Sequence, residues 1–209
     1  MPSIPLNLTT LDIVLIAIIV AFVVYLHHKV LTLQKLLPYK SSSKKTKILS
    51  VVAGENVDTT SIEKALYATD ITYNLLSYES VSQESLLAEL EKDVTVFELS
   101  SHGLNGSFRL GNTTIPATWL ASVLSQYPSL ECCLLLYCNS YMDQELIAHS
   151  KLFVISLVGE VKDTTCILFA RQFYYFLNKQ FDYKEAFEHA RLHLPVEDYA
   201  KILFCDGRQ

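Results

Sequence analysis

Positive charge is scarce in this chain beyond its first 47 residues. The 209 residues hold 17 Lys and Arg against 22 Asp and Glu, a formal net charge of −5. Residues 1–47 carry six Lys and one Asp, summing to +5, which leaves 11 basic against 21 acidic residues and −10 for residues 48–209. So acidic a segment has no surplus of cations to neutralise phosphates, which argues against a nucleic-acid partner. Cysteine is sparse as well. The five (Cys132, Cys133, Cys138, Cys166, Cys205) are odd in number and lack framework spacing, so no disulfide scaffold is expected. No His, Cys or carboxylate spacing resembles a metal site, and neither metal nor cofactor is expected. A Gly-x-Ser-x-Gly elbow is absent, which argues against a small-molecule hydrolase of the α/β type. The acidic pair of a receiver domain is missing too, because Val51-Val52-Ala53 is followed only by Glu55. There is no internal repeat and no low-complexity tract.

One long hydrophobic run is present. From Ile13 to Leu26 every residue is apolar or Tyr25. About 20 residues are available to span a bilayer if Asp12, His27, His28 and Lys29 sit at the interfaces. The run reads as one transmembrane helix; the competing reading is a buried first helix of a soluble fold. A cleaved signal peptide would need a basic start and a small-residue cleavage site, and neither is found. Lys29, Lys35, Lys40, Lys44, Lys45 and Lys47 follow the run, so the positive-inside rule places the N-terminus outside and the following domain in the cytoplasm. The basic stretch can rest against anionic lipid. Three parts are expected: residues 1–37 as membrane helix and juxtamembrane segment, 38–47 as a Ser/Lys-rich linker, and 48–209 as the folded domain.

Within that domain apolar runs alternate with helical patterns. Strands are expected at 48–53, 71–77, 94–99, 132–137, 152–158 and 199–204. Helices are expected at 61–68, 80–90 with Ser80 or Ser82 as cap, 117–126, 142–149, onward from Asp163, and 184–192. Gly106 to Pro116 turns through Gly111-Asn112 as a hairpin. Alternation over some 160 residues predicts a three-layer α/β/α sandwich on a mainly parallel sheet. The aromatic residues Phe169, Phe173 and Phe176 share one helical face and read as core.

Two short segments carry the chemistry. Ser101-His102-Gly103 closes one apolar run and Cys138-Asn139-Ser140 closes another, so an imidazole and a thiol leave the sheet at strand ends, where open α/β sheets keep their chemistry. An imidazole beside a thiol favours the thiolate and then protonates a leaving group. Singly, a His-Gly pair or a Cys after a strand is more often structural; together, separated by one hairpin and one helix, they point to a cysteine nucleophile.

The chain also resembles the caspase-like cysteine peptidases, most closely the CHAT domains of bacterial caspase-like proteins. Their pattern of strand, His-Gly, hairpin and helix, then strand and Cys-x-Ser matches His102-Gly103 and Cys138-Asn139-Ser140. The likeness continues through Val154-Ile155-Ser156, Glu160 to Asp163, Phe169, Phe173-Tyr174, Leu177, Glu185-Ala186-Phe187 and Ala190-Arg191, and spans roughly residues 46–206. It implies a caspase-like fold, Cys138 as nucleophile, His102 as general acid/base, and the backbone N–H groups of Gly103 and Cys138 as oxyanion hole. Ser140 reads as structural. The likeness further implies that the loop after the strand at 152–158 shapes a pocket for a basic residue before the scissile bond, with Glu160 and Asp163 as candidate carboxylates. Asp163 has a second reading, as a helix N-cap before Thr164-Thr165. Two departures are Ser101, where relatives often have a smaller residue, and Leu136-Tyr137, where they often have a small polar pair; Tyr137 is expected to narrow the cleft.

The expectation is therefore a membrane-anchored endopeptidase acting on specific protein substrates. The likeness suggests a bacterial inner membrane and a role in antiviral defence or regulated cell death. A separate activator or sensor protein is an expected partner, and tethering brings neighbouring copies together, so a homo-oligomer is consistent with it. The alternative is an inactive caspase-like scaffold that binds partner proteins at the membrane.

Overall fold

The computed structural model describes residues 46–55, 57–104, 106–149 and 151–208. The run Ile13–Leu26 and all but the last two residues of the linker 38–47 lie outside them. Among the described residues no helix is long and apolar enough to cross a membrane.

The strands are β1 (Lys47–Val52), β2 (Thr72–Leu76), β3 (Val96–Ser100), β4 (Ser107–Leu110), β5 (Thr113–Pro116), β6 (Cys132–Leu136), β7 (Phe153–Leu157) and β8 (Ile202–Asp206). The helices, in chain order, are α1 (Thr59–Tyr67), α2 (Gln83–Leu90), α3 (Ala117–Leu124), α4 (Tyr141–Ala148), α5 (Asp163–Asn178), α6 (Tyr183–Arg191) and the single turn α7 (Val196–Tyr199). Six strands form one sheet in the order β2-β1-β3-β6-β7-β8, and β4 and β5 form a separate hairpin. All pairings in the sheet are parallel except β7 with β8.

Alternate residues of each central strand feed different cores, which is why the strands read as unbroken apolar runs. Ile48, Val96, Leu134 and Ile155 pack under α1, α5 and α6 with Leu66, Phe169, Phe173 and Phe187. Leu49, Phe97, Leu135 and Val154 pack on the other side with Leu86, Leu120 and Ile147 from α2, α3 and α4. The result is an α/β domain with helices on both faces of a mostly parallel sheet.

The chain runs from β1 outward to β2, then returns to place β3 on the opposite side of β1. This reversal leaves a crevice beyond the carboxyl ends of β1 and β3, the usual ligand position in open α/β sheets. Local signals account for several boundaries. Ser82 caps α2 through a reciprocal box with Ser85, an arrangement contributing about 1 kcal/mol. Asp163, however, does not cap α5. Lys162 occupies the cap position without a side-chain bond and Asp163 lies in the first turn, where its charge still favours the helix dipole. The last strand begins later than the sequence pattern indicates, because Pro195 starts the extra turn α7 and Tyr199 belongs to it.

Candidate functional site

Ser100 and Leu136 are register partners on neighbouring parallel strands. His102 and Cys138 each stand two residues beyond that pair, and the Ser101 N–H still donates to the Leu136 carbonyl at 3.4 Å. The two exits then pack directly on each other. A Cβ placed on Gly103 would lie 2.2 Å from the Cys138 carbonyl oxygen and 2.9 Å from Tyr137 Cδ2. The Gly at this position is thus required by the Cys138 backbone. His102 is exposed and Cys138 half-buried. Among the described residues, neither the Gly103 N–H nor the Cys138 N–H donates a hydrogen bond to another group.

The hairpin holds the His segment in place. The Arg109 N–H donates to the His102 carbonyl at 3.1 Å, and Ser101 Oγ donates to the Arg109 carbonyl at 2.6 Å. Ser101 is buried, so the departure noted in the sequence has a local purpose. From the other side His102 Nε2 lies 2.7 Å from the carbonyl oxygen of Glu55. A carbonyl only accepts, so Nε2 carries the hydrogen and Nδ1 is the basic nitrogen of the neutral ring. The β1–α1 loop therefore fixes the tautomer, through a main-chain atom that no residue pattern announces. Gly54 in that loop sits against the ring, where an added Cβ would be 3.1 Å from His102 Cδ2.

Behind Cys138 the chain turns sharply into α4. Ser140 Oγ donates to the Leu135 carbonyl at 2.7 Å and accepts from the Leu157 N–H at 2.8 Å, tying β6 to β7 as a structural serine. Tyr137 does not narrow the cleft. It is 2% exposed, packs on Phe108 and donates its hydroxyl to Asp143 Oδ2 at 2.8 Å. Burial pushes both the Tyr137 hydroxyl and the Asp143 carboxyl up from their ordinary values.

Cys138 opens onto a cleft of about 420 Å³ whose other walls are Glu160, Val161 and Lys162 from the β7–α5 loop and Glu197, Asp198 and Lys201 around α7. Glu160 thus shares a cavity with the thiol. Asp198 is buried and braced by Thr165 Oγ1 and Lys201 Nζ, each at 2.8 Å; these bonds hold its carboxyl below the usual value. Lys201 Nζ also donates to the Glu160 carbonyl at 3.3 Å.

Asp163 does not line that cleft. It borders a separate cavity of about 20 Å³ beside Ser101 and Leu136, together with Glu98, Ser100 and Cys166. Such a volume admits about one water. Burial pushes the Cys166 thiol up to about 12. Glu98, in the middle of β3, is a functional candidate that the sequence pattern hid inside an apolar run. It is fully buried, accepts from the Tyr174 hydroxyl and from Ser100 Oγ, and its carboxyl is raised by that burial.

Chemically, one end of the sheet offers a half-buried thiol, an imidazole of fixed tautomer, two backbone N–H groups that donate to nothing among the described residues, and a cleft of mixed charge adjoining the thiol. No model of a known protein family matches the chain, and neither does any curated protein.

Proposed function

We propose that the domain is a caspase-like cysteine endopeptidase in which Cys138 attacks a peptide carbonyl and His102 moves the protons. The observation that carries this reading is the seating of Gly103 against the Cys138 carbonyl, which packs the backbone following His102 on that of Cys138, where among the described residues the Gly103 and Cys138 N–H groups donate to no other group. In the reaction Nδ1 of His102 takes the thiol proton, the thiolate adds to the carbonyl carbon, and the oxyanion receives the N–H groups of Gly103 and Cys138. His102 then protonates the departing amine, and water hydrolyses the acyl-enzyme.

A basic residue before the scissile bond fits the available carboxylates. Glu160 shares the cleft with Cys138, and Glu98 and Asp163 border the smaller cavity beside Ser101 and Leu136. Seating a side chain at Glu98 requires that cavity to widen on binding. The run Ile13–Leu26 supports a membrane anchor with the peptidase domain in the cytoplasm. A separate activator and a place in antiviral defence or cell death extend the same reading.

The test is to treat the full chain with a peptidyl acyloxymethyl ketone carrying Arg and to locate the adduct by peptide mass. Attachment to Cys138 is expected, with weaker reaction in Glu160→Gln. Attachment at Cys205 instead, or no adduct, would reject the peptidase and leave the scaffold as the better account.

A further inference from the structure

Asn139 directly follows the thiol and has a φ of +61°, a left-handed conformation that most L residues avoid and Asn tolerates. Two hydrogen bonds join it to a single residue of the opposite loop. Its N–H donates to the Gly159 carbonyl at 3.2 Å, and the Gly159 N–H donates to Asn139 Oδ1 at 3.0 Å. Because the partner of Oδ1 is a donor, the amide can face only one way. The side chain thereby supplies the acceptor that completes a two-point link outside any strand, since β6 ends at Leu136 and β7 at Leu157.

Gly159 also has a positive φ, +69°, while a Cβ on it would meet nothing within 4 Å. Backbone conformation, not space, selects glycine there. The next three residues, Glu160, Val161 and Lys162, form the cleft wall facing Cys138. Ser140 fastens β6 to β7 separately from this link, through Leu135 and Leu157. What Asn139 adds is a connection between the wall that a ligand touches and the backbone that carries the sulfur.

We propose that Asn139 is a positioning residue that couples the 159–162 wall to Cys138, so that a peptide seated on the wall fixes the Cys138 amide and thiol against its own carbonyl. The inference rests on the peptidase reading above. It predicts a dependence that appears with a peptide ligand and vanishes with a reagent too small to touch the wall.

Two second-order rates at Cys138 test it in the full chain, one with iodoacetamide and one with the Arg-bearing peptidyl ketone. Asn139→Gly keeps the turn and the N–H but lacks Oδ1; its peptidyl rate is expected to fall about tenfold, the scale of a small misplacement at a reacting centre, with the iodoacetamide rate unchanged. Asn139→Asp retains an acceptor oxygen and is expected to restore the peptidyl rate. An unaltered peptidyl rate in Asn139→Gly, a parallel fall of both rates with thermal stability, or failure of Asn139→Asp to restore the rate overturns the proposal. Wild-type protein that ignores the peptidyl ketone while reacting with iodoacetamide defeats the peptidase reading itself, and this inference with it.

Discussion

Gly103→Ala is expected to abolish labelling of Cys138 by a peptidyl ketone and to lower the urea midpoint of the domain. The new methyl would stand 2.2 Å from the Cys138 oxygen and 2.9 Å from Tyr137 Cδ2, where carbon contacts settle at about 3.5–4.0 Å. Neither neighbour can yield easily. The oxygen belongs to the main chain, and Tyr137 is buried with its hydroxyl held by Asp143. The His and Cys segments must therefore part. Overpacking of this kind costs about 1–3 kcal/mol, and a shift near 1 Å between reacting groups costs on the order of 100-fold in rate. Gly54→Ala is the informative companion: its methyl meets Val57 Cγ2 at 2.8 Å, His102 Cδ2 at 3.1 Å and the main-chain Cα of Ser101 at 3.2 Å; the two side chains can turn aside and the main-chain contact is far looser than the one at Gly103, so partial labelling should survive. Full labelling of Gly103→Ala would show that the two segments do not touch as described.

Raising the pH above the ordinary carboxyl value of 4.5 is expected to destabilise the wild-type fold more than Glu98→Gln. Burial raises the Glu98 carboxyl above its ordinary value of 4.5, while bonds from Tyr174 and Ser100 oppose the rise without cancelling it. The folded state thus keeps a proton that the unfolded chain releases. Stability from this group is whole below the ordinary value and declines as pH climbs from there through the raised folded value. Glutamine preserves the shape and an acceptor for Tyr174 but cannot ionise, so its unfolding free energy lacks that component of the slope. Glu98→Ala is a different perturbation, leaving a void and an orphaned Tyr174 hydroxyl at a cost of about 2–5 kcal/mol. Urea titrations of wild type and Glu98→Gln at several pH values measure the difference. Parallel profiles would mean that Glu98 ionises as readily inside the sheet as in the unfolded chain.

Where chain physics is local, the sequence was easy to read. The apolar runs ending at His102 and Cys138 mark strands buried on both faces, Ser82 announces its helix, and Gly111-Asn112 its hairpin, because each depends on side chains within a few positions. Long-range contacts were harder. The carbonyl that orients His102 belongs to Glu55, 47 residues earlier, and any residue type could supply it. Glu98 sits between Phe97 and Leu99 in a strand whose apolar character masked it, and its purpose depends on Tyr174, 76 positions away. Asp163 illustrates a one-residue error with a chemical consequence: Lys162 takes the cap position, α5 begins at Asp163, and the carboxylate borders the smaller cavity instead of the one that holds Cys138. Pairing direction was also invisible, since the residues of β8 are as compatible with an antiparallel neighbour as with a parallel one.

The uneven burial of sulfur has a practical corollary. Cys132, Cys133 and Cys166 are enclosed, with ionisation suppressed by burial, whereas Cys138 and Cys205 reach solvent. A chromogenic disulfide added to native protein should accordingly register two sulfhydryls, and five once the chain is denatured. Cys205→Ser would then leave a single native sulfhydryl, a spectroscopic handle on the cleft that requires no cysteine-free background.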